Sequence, residues 1–253
     1  MKYKSKTLTK TIFAALAVFI LLSLFTLQVG AEDGTSLQPM VTETGKINIS
    51  VDGLGTSGSG IIQVEKPEGA TVRGAYLIAT RTSGDQVPDG SVLINGNATT
   101  WSNTVFSHSN ADCYNHWSNA TSIVKPIVDA AAAGRVDLTI TENSPNACEG
   151  EVLVVIFDDP NQVKDNTVVL LFGGQNPTGD TFNIHLSEAL NKSNPGLFMG
   201  MGLGISWSSQ PDLQYSIVNV NDQRLTTSAG GQDDGDSNGL ITVGGLDDSY
   251  DNP

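Results

Sequence analysis

Basic residues are scarce in this sequence, which limits the partners that it can bind. The 253 residues contain 13 Lys and Arg but 27 Asp and Glu, giving a formal net charge of −14. Nucleic-acid phosphates are neutralised by Lys and Arg, so this composition argues against a DNA or RNA partner. An acidic surface favours solubility, cation binding or a saline environment instead.

Cysteine is equally scarce. The only two cysteines are Cys113 and Cys148, and no CxxC spacing is present, which argues against a zinc site. In an exported chain such a pair predicts a disulfide between Cys113 and Cys148. On the chain-entropy model, closing a loop of this length stabilises the fold by about 3–4 kcal/mol.

The sequence also lacks a recognisable set of catalytic residues. His108 and His116 lie eight residues apart in a polar segment, a spacing that fits no established ligand pattern, so we interpret them as surface residues. His185 falls at the polar phase of an alternating segment, which predicts an exposed strand residue. The segment Gly204-Ile-Ser206-Trp-Ser208 lacks the final glycine of the GxSxG nucleophile elbow. We therefore predict that the protein is not an enzyme.

Aromatic residues make up 6% of the chain and include three tryptophans. The tryptophans are Trp101, Trp117 and Trp207. They would serve equally well as a platform for stacking a sugar ring or as core residues, so both interpretations stay open.

Residues 1–31 have the pattern of an export signal. Four lysines in the first ten residues precede the apolar segment Ile12–Leu27, and Val29-Gly30-Ala31 is a small-residue cleavage pattern. The apolar segment is shorter than the roughly 20 residues of a spanning helix, which favours cleavage after Ala31 over an uncleaved N-terminal anchor. Cleavage would leave nine basic and 27 acidic residues, a net charge of −18. We expect an extracellular or cell-surface protein whose N-terminal segment contacts the membrane during export or as an anchor.

The central stretch predicts an all-β protein. Val152–Phe157 and Thr167–Phe172 are continuously apolar, and the turn-forming segment Asp158-Asp159-Pro160-Asn161 connects them. This spacing predicts a strand and a returning strand, each covered on both faces at the centre of a β-sandwich or jelly-roll-like fold. We expect a disordered segment over 32–45 and a single sandwich domain over 46–253, truncated at its C-terminus.

One short helix is predicted near residues 122–133, covering an open end of the sandwich. Ser122 is a candidate cap, Pro126 falls within the first turn, and Gly134 ends the helix. Apolar residues at helical spacing form its inner face. They are Ile123, Val124, Ile127, Val128 and Ala131.

Turn and glycine patterns predict further strands. Asn95-Gly96 follows a short apolar run and predicts a tight hairpin, because both residue types tolerate a left-handed backbone. Asn221-Asp222 predicts a second hairpin. Glycines at 200, 202 and 204 fall on one face of a predicted strand, where another backbone or a large side chain can approach closely.

The candidate cofactor is calcium. Asp234, Asp236, Asn238 and Gly239 match the first half of a calcium-binding loop, in which alternate side chains turn toward one hard cation. The glutamate of the twelfth position is replaced by Gly245, and helical flanks are absent, so an EF-hand is excluded. The pattern predicts a calcium-stiffened surface loop, with a metal-free acidic turn as the alternative.

A series of short sequence segments runs through most of residues 45–253. They are Gly74-Ala-Tyr-Leu, Val92-Leu-Ile-Asn-Gly96, a short apolar helix, Gly150–Pro160, Val168–Gly173 and Leu240–Asp248. Their order resembles an uncharacterised extracellular domain family of cell-surface proteins from methanogenic archaea and some bacteria. The resemblance implies a β-sandwich module within larger surface or adhesin-like proteins and carries no catalytic residues. The YL…VLING order is also similar to jelly-roll carbohydrate-binding modules.

These features predict a secreted or cell-surface structural or adhesin-like module. Its expected partners are cell-envelope components, surface glycans or surface proteins. Two alternatives are kept: a carbohydrate-binding module, which needs exposed tryptophans, and a secreted hydrolase, which needs an acid pair or a histidine-supported nucleophile in one cleft.

Overall fold

The computed structural model describes residues 36–54, 58–81, 85–107, 113–143, 148, 150–174, 179–183, 191, 193–197, 200–205, 218–226 and 241–243. The chain divides into two compact units, one of Met1–Ala31 with Thr181–Met199 and one of Glu32–Asp180 with Gly200–Pro253. In the first unit, the backbone N–H of Asn194 donates to the carbonyl of Asn191, and that of Leu197 to the carbonyl of Asn194. Within the described residues, every strand and the helix belong to the second unit.

The described part of the second unit consists of short antiparallel strands and one helix, α1 (Thr121–Ala130). The strands before the helix are β1 (Gln38–Gly45), β2 (Ile47–Leu54), β3 (Ser59–Lys66), β4 (Thr71–Arg81), β5 (Val92–Ile94), β6 (Asn97–Ala98), β7 (Asn103–Ser107) and β8 (Cys113–Asn119). Those after it are β9 (Gly134–Glu142), β10 (Glu151–Asp158), β11 (Asn166–Phe172), β12 (Leu203–Ile205), β13 (Val218–Val220), β14 (Gln223–Thr226) and β15 (Ile241–Val243). The all-β, sandwich-like fold that the sequence predicts is confirmed.

Two sheets form the main sandwich. One has five strands in the order β2-β10-β4-β8-β7, and the other has four in the order β3-β9-β5-β6. The larger core lies between them and includes side chains from β3, β4, β5, β9 and β10 as well as from α1. A smaller core on the opposite face of the five-stranded sheet packs against a two-stranded ribbon made of β1 and β11.

Strand β10 is an interior strand of the five-stranded sheet, second from its edge, with β2 and β4 as its neighbours. Every residue from Glu151 to Phe157 is buried, which confirms that this apolar run is covered on both faces. The returning run does not pair with β10, because β11 crosses to the ribbon and pairs with β1. The connection over 159–165 therefore joins two layers of the fold.

Strand β1 corrects the expectation of disorder over 32–45. Gln38–Gly45 pairs with β11 along its whole length, apart from an irregularity between Pro39 and Val41. The segment reads as polar because one face of this ribbon strand is exposed, while Met40 and Val41 pack against the smaller core.

The predicted helix forms, but it begins and ends earlier than residues 122–133. Its N-cap is Ala120, which has no capping side chain, and Pro126 is the sixth helical residue, past the first turn. Val124 and Val128 are buried, and the other residues of the predicted apolar face, Ile123, Ile127 and Ala131, pack against the larger core. The helix is anchored to β4 by the N–H of Val72, which donates to Asp129 Oδ1 at 2.7 Å.

Both predicted hairpins are confirmed. Asn95 and Gly96 have φ values of 47° and 76° and connect β5 to β6. Asn221 and Asp222, with φ values of 49° and 62°, connect β13 to β14. The close approach expected at the glycine-rich strand occurs at Gly204, where an added Cβ would lie 2.6 Å from Val152 Cγ2. No helix within the described residues has the length and apolar character needed to cross a membrane.

Candidate functional site

Ionisable side chains collect at one end of the larger core. The strand register places Glu151 on β10 beside Ala79 on β4, and Ala79 beside His116 on β8. On β9, Glu142 follows the inward-facing Val136, Leu138 and Ile140 at the same alternation, so it also points between the sheets. Cys148, on the connection between β9 and β10, is part of this core.

Glu142, Cys148 and Glu151 form a compact cluster, which we call the Glu-Cys-Glu cluster. One carboxylate oxygen of each glutamate and the Cys148 Sγ all lie within 4.8 Å of one another. Their exposed fractions are 6% for Glu142, 1% for Cys148 and 0% for Glu151. A charged carboxylate at such depth requires a partner, because burial without one is strongly unfavourable.

The two glutamates differ in their hydrogen bonds. Glu142 Oε2 accepts the backbone N–H of Cys148 at 3.2 Å. Glu151 is fully buried, and neither of its oxygens accepts a hydrogen bond from a nitrogen or oxygen donor among the described residues. The Cys148 thiol is the donor that interacts with it. Glu151 is therefore the least satisfied polar group of the cluster.

The electrostatics of the cluster favour the protonated forms of Glu151 and Cys148. Burial, reinforced by the negative charge of Glu142, raises the pKa of Glu151 from 4.5 to about 8. Burial and the two neighbouring carboxylates likewise raise the pKa of the Cys148 thiol, an effect that the positive charge of Arg81 opposes. Near neutral pH the cluster consequently holds exchangeable protons.

His116 lies in the same layer but is engaged in structure. It is completely buried, its Nε2 accepts the backbone N–H of Val87 at 3.1 Å, and its ring contacts Trp101 at 5.4 Å between centroids. Burial lowers the pKa of His116 from 6.5 to about 4, so the ring is neutral and its proton lies on Nδ1. This corrects the prediction that His116 is a surface residue.

The structure does not contain the predicted disulfide between Cys113 and Cys148. Cys113 shares the strand phase of Asn115 and Trp117 on β8, which faces the smaller core, whereas Cys148 belongs to the larger core. The two cysteines therefore lie on opposite sides of the five-stranded sheet. A disulfide requires the two Cβ atoms to point toward each other, whereas side chains on opposite faces of a sheet point apart.

Other predicted site residues fall into two groups. The candidate calcium ligands Asp234, Asp236 and Asn238 lie outside the described residues, as do His108, His185 and Trp207. Trp117 is 4% exposed and stacks on Tyr76, and Trp101 packs against the larger core. Both described tryptophans thus contribute to packing and do not form an exposed platform.

An open surface depression of about 350 Å³ lies at the opposite end of β4 and β10. Its charged groups satisfy one another: Arg73 contacts Asp158 at 2.6 Å and Glu43 at 3.3 Å. Asp159 accepts hydrogen bonds from Asn48 at 3.3 Å and Gln162 at 3.0 Å. These charged side chains are therefore already paired and do not need a ligand to compensate their charge.

Glu142 and Glu151 were not among the predicted site residues, although the strand pattern contains a signal for both. Glu142 continues the inward alternation of β9, and Glu151 has the same phase as Leu153, Val155 and Phe157. A carboxylate at an inward position of a strand predicts a buried charge in need of a partner. Their proximity to Cys148 depends on how the two sheets pack, which alternation does not specify.

Comparison with protein-family models, with curated proteins and with solved structures finds no match for this chain.

Proposed function

We propose that this chain is an exported, non-catalytic β-sandwich module that contributes structure or adhesion at the cell surface. The observation that most supports this proposal is where the converging ionisable groups lie. His116 and Glu151 are 0% exposed and Cys148 is 1% exposed, so they are enclosed between sheets, whereas a catalytic cleft must admit a substrate. The export pattern of residues 1–31 supports the location.

The same side chains bear on the alternative functions. A hydrolase base needs an accessible imidazole lone pair, but His116 Nε2 already accepts the N–H of Val87. A sugar-binding platform needs an exposed ring, and Trp117 is 4% exposed. The described residues therefore favour a structural module over both alternatives.

The acidic surface suggests how such a module is held at the envelope. Its expected partners are envelope components, surface glycans and surface proteins that carry cations or bind them. Attachment of this kind weakens with salt, because exposed charges separated by more than about 10 Å are screened at moderate ionic strength.

Localisation is the direct test. The full chain with a C-terminal tag is produced in a prokaryotic host, and intact cells are fractionated and treated with an external protease. We expect the tag to be removed from the cell surface, or to be found in the medium. A matched variant with Leu21→Arg and Leu22→Arg interrupts the apolar segment and should stay inside. A parent chain that remains in the cytosol, protected from protease, would contradict the proposal.

A further inference from the structure

We propose that Glu142, Cys148 and Glu151 bind one divalent transition-metal ion between the two main sheets, with Zn²⁺ as the best match. The three side chains offer two carboxylate oxygens and one sulfur, all within 4.8 Å of one another. Zinc accepts thiolate and carboxylate ligands in a tetrahedral arrangement, so these three side chains would fill three positions and leave the fourth to a water molecule.

Glu151 provides an independent indication that a ligand belongs here. It is fully buried and directed into the cluster, and apart from the Cys148 thiol no donor among the described residues reaches its oxygens. Buried carboxylates are normally hydrogen-bonded, paired with a cation or bound to a metal. A metal ion would satisfy Glu151 directly.

The spacing is close to that of a metal site. Bond lengths of 2.0–2.3 Å around a tetrahedral ion place its ligand atoms roughly 3.3–3.5 Å apart. The cluster, with separations of up to 4.8 Å, needs a contraction of at most about 1.5 Å to reach that spacing. Cys148 lies on the connection between two strands and is not held in a sheet ladder, so it is the ligand best able to move.

The sulfur determines the class of metal. Hard cations such as Ca²⁺ and Mg²⁺ take oxygen ligands, whereas thiolate selects softer divalent ions such as Zn²⁺ and Co²⁺. This site is therefore different in kind from the calcium loop predicted over Asp234–Asn238.

The charges of the cluster fit a divalent ion. Three anionic ligands and a divalent cation leave one negative charge, and the charge of Arg81, which also pairs with Asp85 at 3.5 Å, acts on Cys148. A metal-bound cysteine is a thiolate, so the Cys148 proton passes to solvent when the ion binds.

Cobalt titration tests the proposal, because Co²⁺ bound to a thiolate gives a sulfur-to-metal charge-transfer band. We expect the EDTA-treated full chain to bind one Co²⁺ with such a band, and Zn²⁺ but not Ca²⁺ to abolish it. Cys148→Ser should remove the band, whereas the matched variant Cys113→Ser, at the other buried cysteine, should retain it. Glu151→Gln should weaken binding at least about tenfold.

Several outcomes would overturn the site. They are the absence of a charge-transfer band in the wild-type chain, a band that persists in Cys148→Ser, and one that depends on Cys113 instead. Circular dichroism of each variant reports whether it is folded. Should Cys148→Ser unfold, the wild-type titration and Glu151→Gln, which preserves side-chain shape, decide the question.

Discussion

Strands β10 and β11 look alike in the sequence and occupy different environments in the fold. Both are apolar runs that end in phenylalanine, Val152–Phe157 and Thr167–Phe172. β10 is buried along the whole of that run, while β11 buries only Leu170 and Phe172 and leaves Thr167 exposed. The difference comes from position, since β10 has a strand on each side and a core on each face, whereas β11 belongs to a two-stranded ribbon. Apolar composition marks a strand as buried without specifying how many layers cover it.

The largest expected effect comes from truncating the two phenylalanines. Phe157→Ala should cost about 3–5 kcal/mol, because the cavity opens in a core enclosed by two sheets. Phe172→Ala should cost less, at or below the lower end of that range, because the ribbon can move toward the gap. Chemical denaturation of both variants measures the two losses of unfolding free energy. Equal losses would contradict the difference in environment.

Two buried titratable residues, Glu151 on β10 and His116 on β8, respond to pH in opposite directions. Glu151 begins β10 and has a folded-state pKa raised from 4.5 to about 8, so the folded chain holds a proton that the unfolded chain releases. Stability from this group is therefore fully present below pH 4.5 and is lost as the pH rises through 8. His116 acts in the opposite direction: its pKa, lowered from 6.5 to about 4, gives stability above 6.5 that is lost as the pH falls through 4.

Metal-free protein should consequently lose about 1.5–2 kcal/mol of unfolding free energy as the pH rises from 6.5 to 8, the window in which Glu151 acts without opposition from His116. Glu151→Gln should remove this loss and leave the rise in stability above pH 4 that His116 causes. Denaturation in EDTA at pH values from 4 to 8 measures both effects. Glu65→Gln, at an exposed position on β3, is the control and should follow the wild-type profile. An unfolding free energy of the wild-type chain that does not change between pH 6.5 and 8 would contradict the raised pKa of Glu151 in the folded chain.

Two hydroxyl groups, one beside β10 and one on β11, should also differ in how much they stabilise the fold. Ser50 on β2, beside β10, is buried, and its Oγ accepts the backbone N–H of Glu65 at 3.0 Å. Thr167 on β11 shares an exposed hydrogen bond of 2.9 Å with Thr44. We expect Ser50→Ala to cost about 1–3 kcal/mol and Thr167→Val to stay within about 0.5 kcal/mol, as measured by denaturation. A larger loss for Thr167→Val than for Ser50→Ala would reverse the contrast.

The smallest expected effect is that of a reducing agent. Because Cys113 and Cys148 lie on opposite faces of the five-stranded sheet, dithiothreitol should leave the unfolding midpoint unchanged. A disulfide would instead contribute about 3–4 kcal/mol, and its reduction would lower the midpoint visibly. Mass spectrometry of the alkylated chain, with and without reduction, counts the thiols independently.

Local patterns predicted the elements of this fold well. The alternation of β9, the Asn95-Gly96 turn and the apolar face of α1 each depend on residues close in sequence, and each is confirmed. The sheet order was not predictable in the same way. Pairing β11 with β1 brings together residues more than a hundred positions apart, and nothing in either strand marks its partner.

The candidate site could likewise be predicted from the sequence only in part. The inward phase of Glu142 and Glu151 can be read from alternation, but their approach to Cys148 results from the packing of one sheet on another. The predicted disulfide was misleading for this reason, because counting cysteines does not reveal which face of a sheet each one occupies. In this chain the neighbours of Cys148 are the carboxylates of Glu142 and Glu151, and the metal site proposed above replaces the predicted cross-link as the role of Cys148.

Native-state amide hydrogen exchange tests most directly the burial of β10 between two cores. We predict that the amides of Val152–Phe157 exchange only through global unfolding, while those of β11 exchange faster through local opening of the ribbon. Protection of β11 equal to or greater than that of β10 would contradict an account in which β10 is the strand covered on both faces.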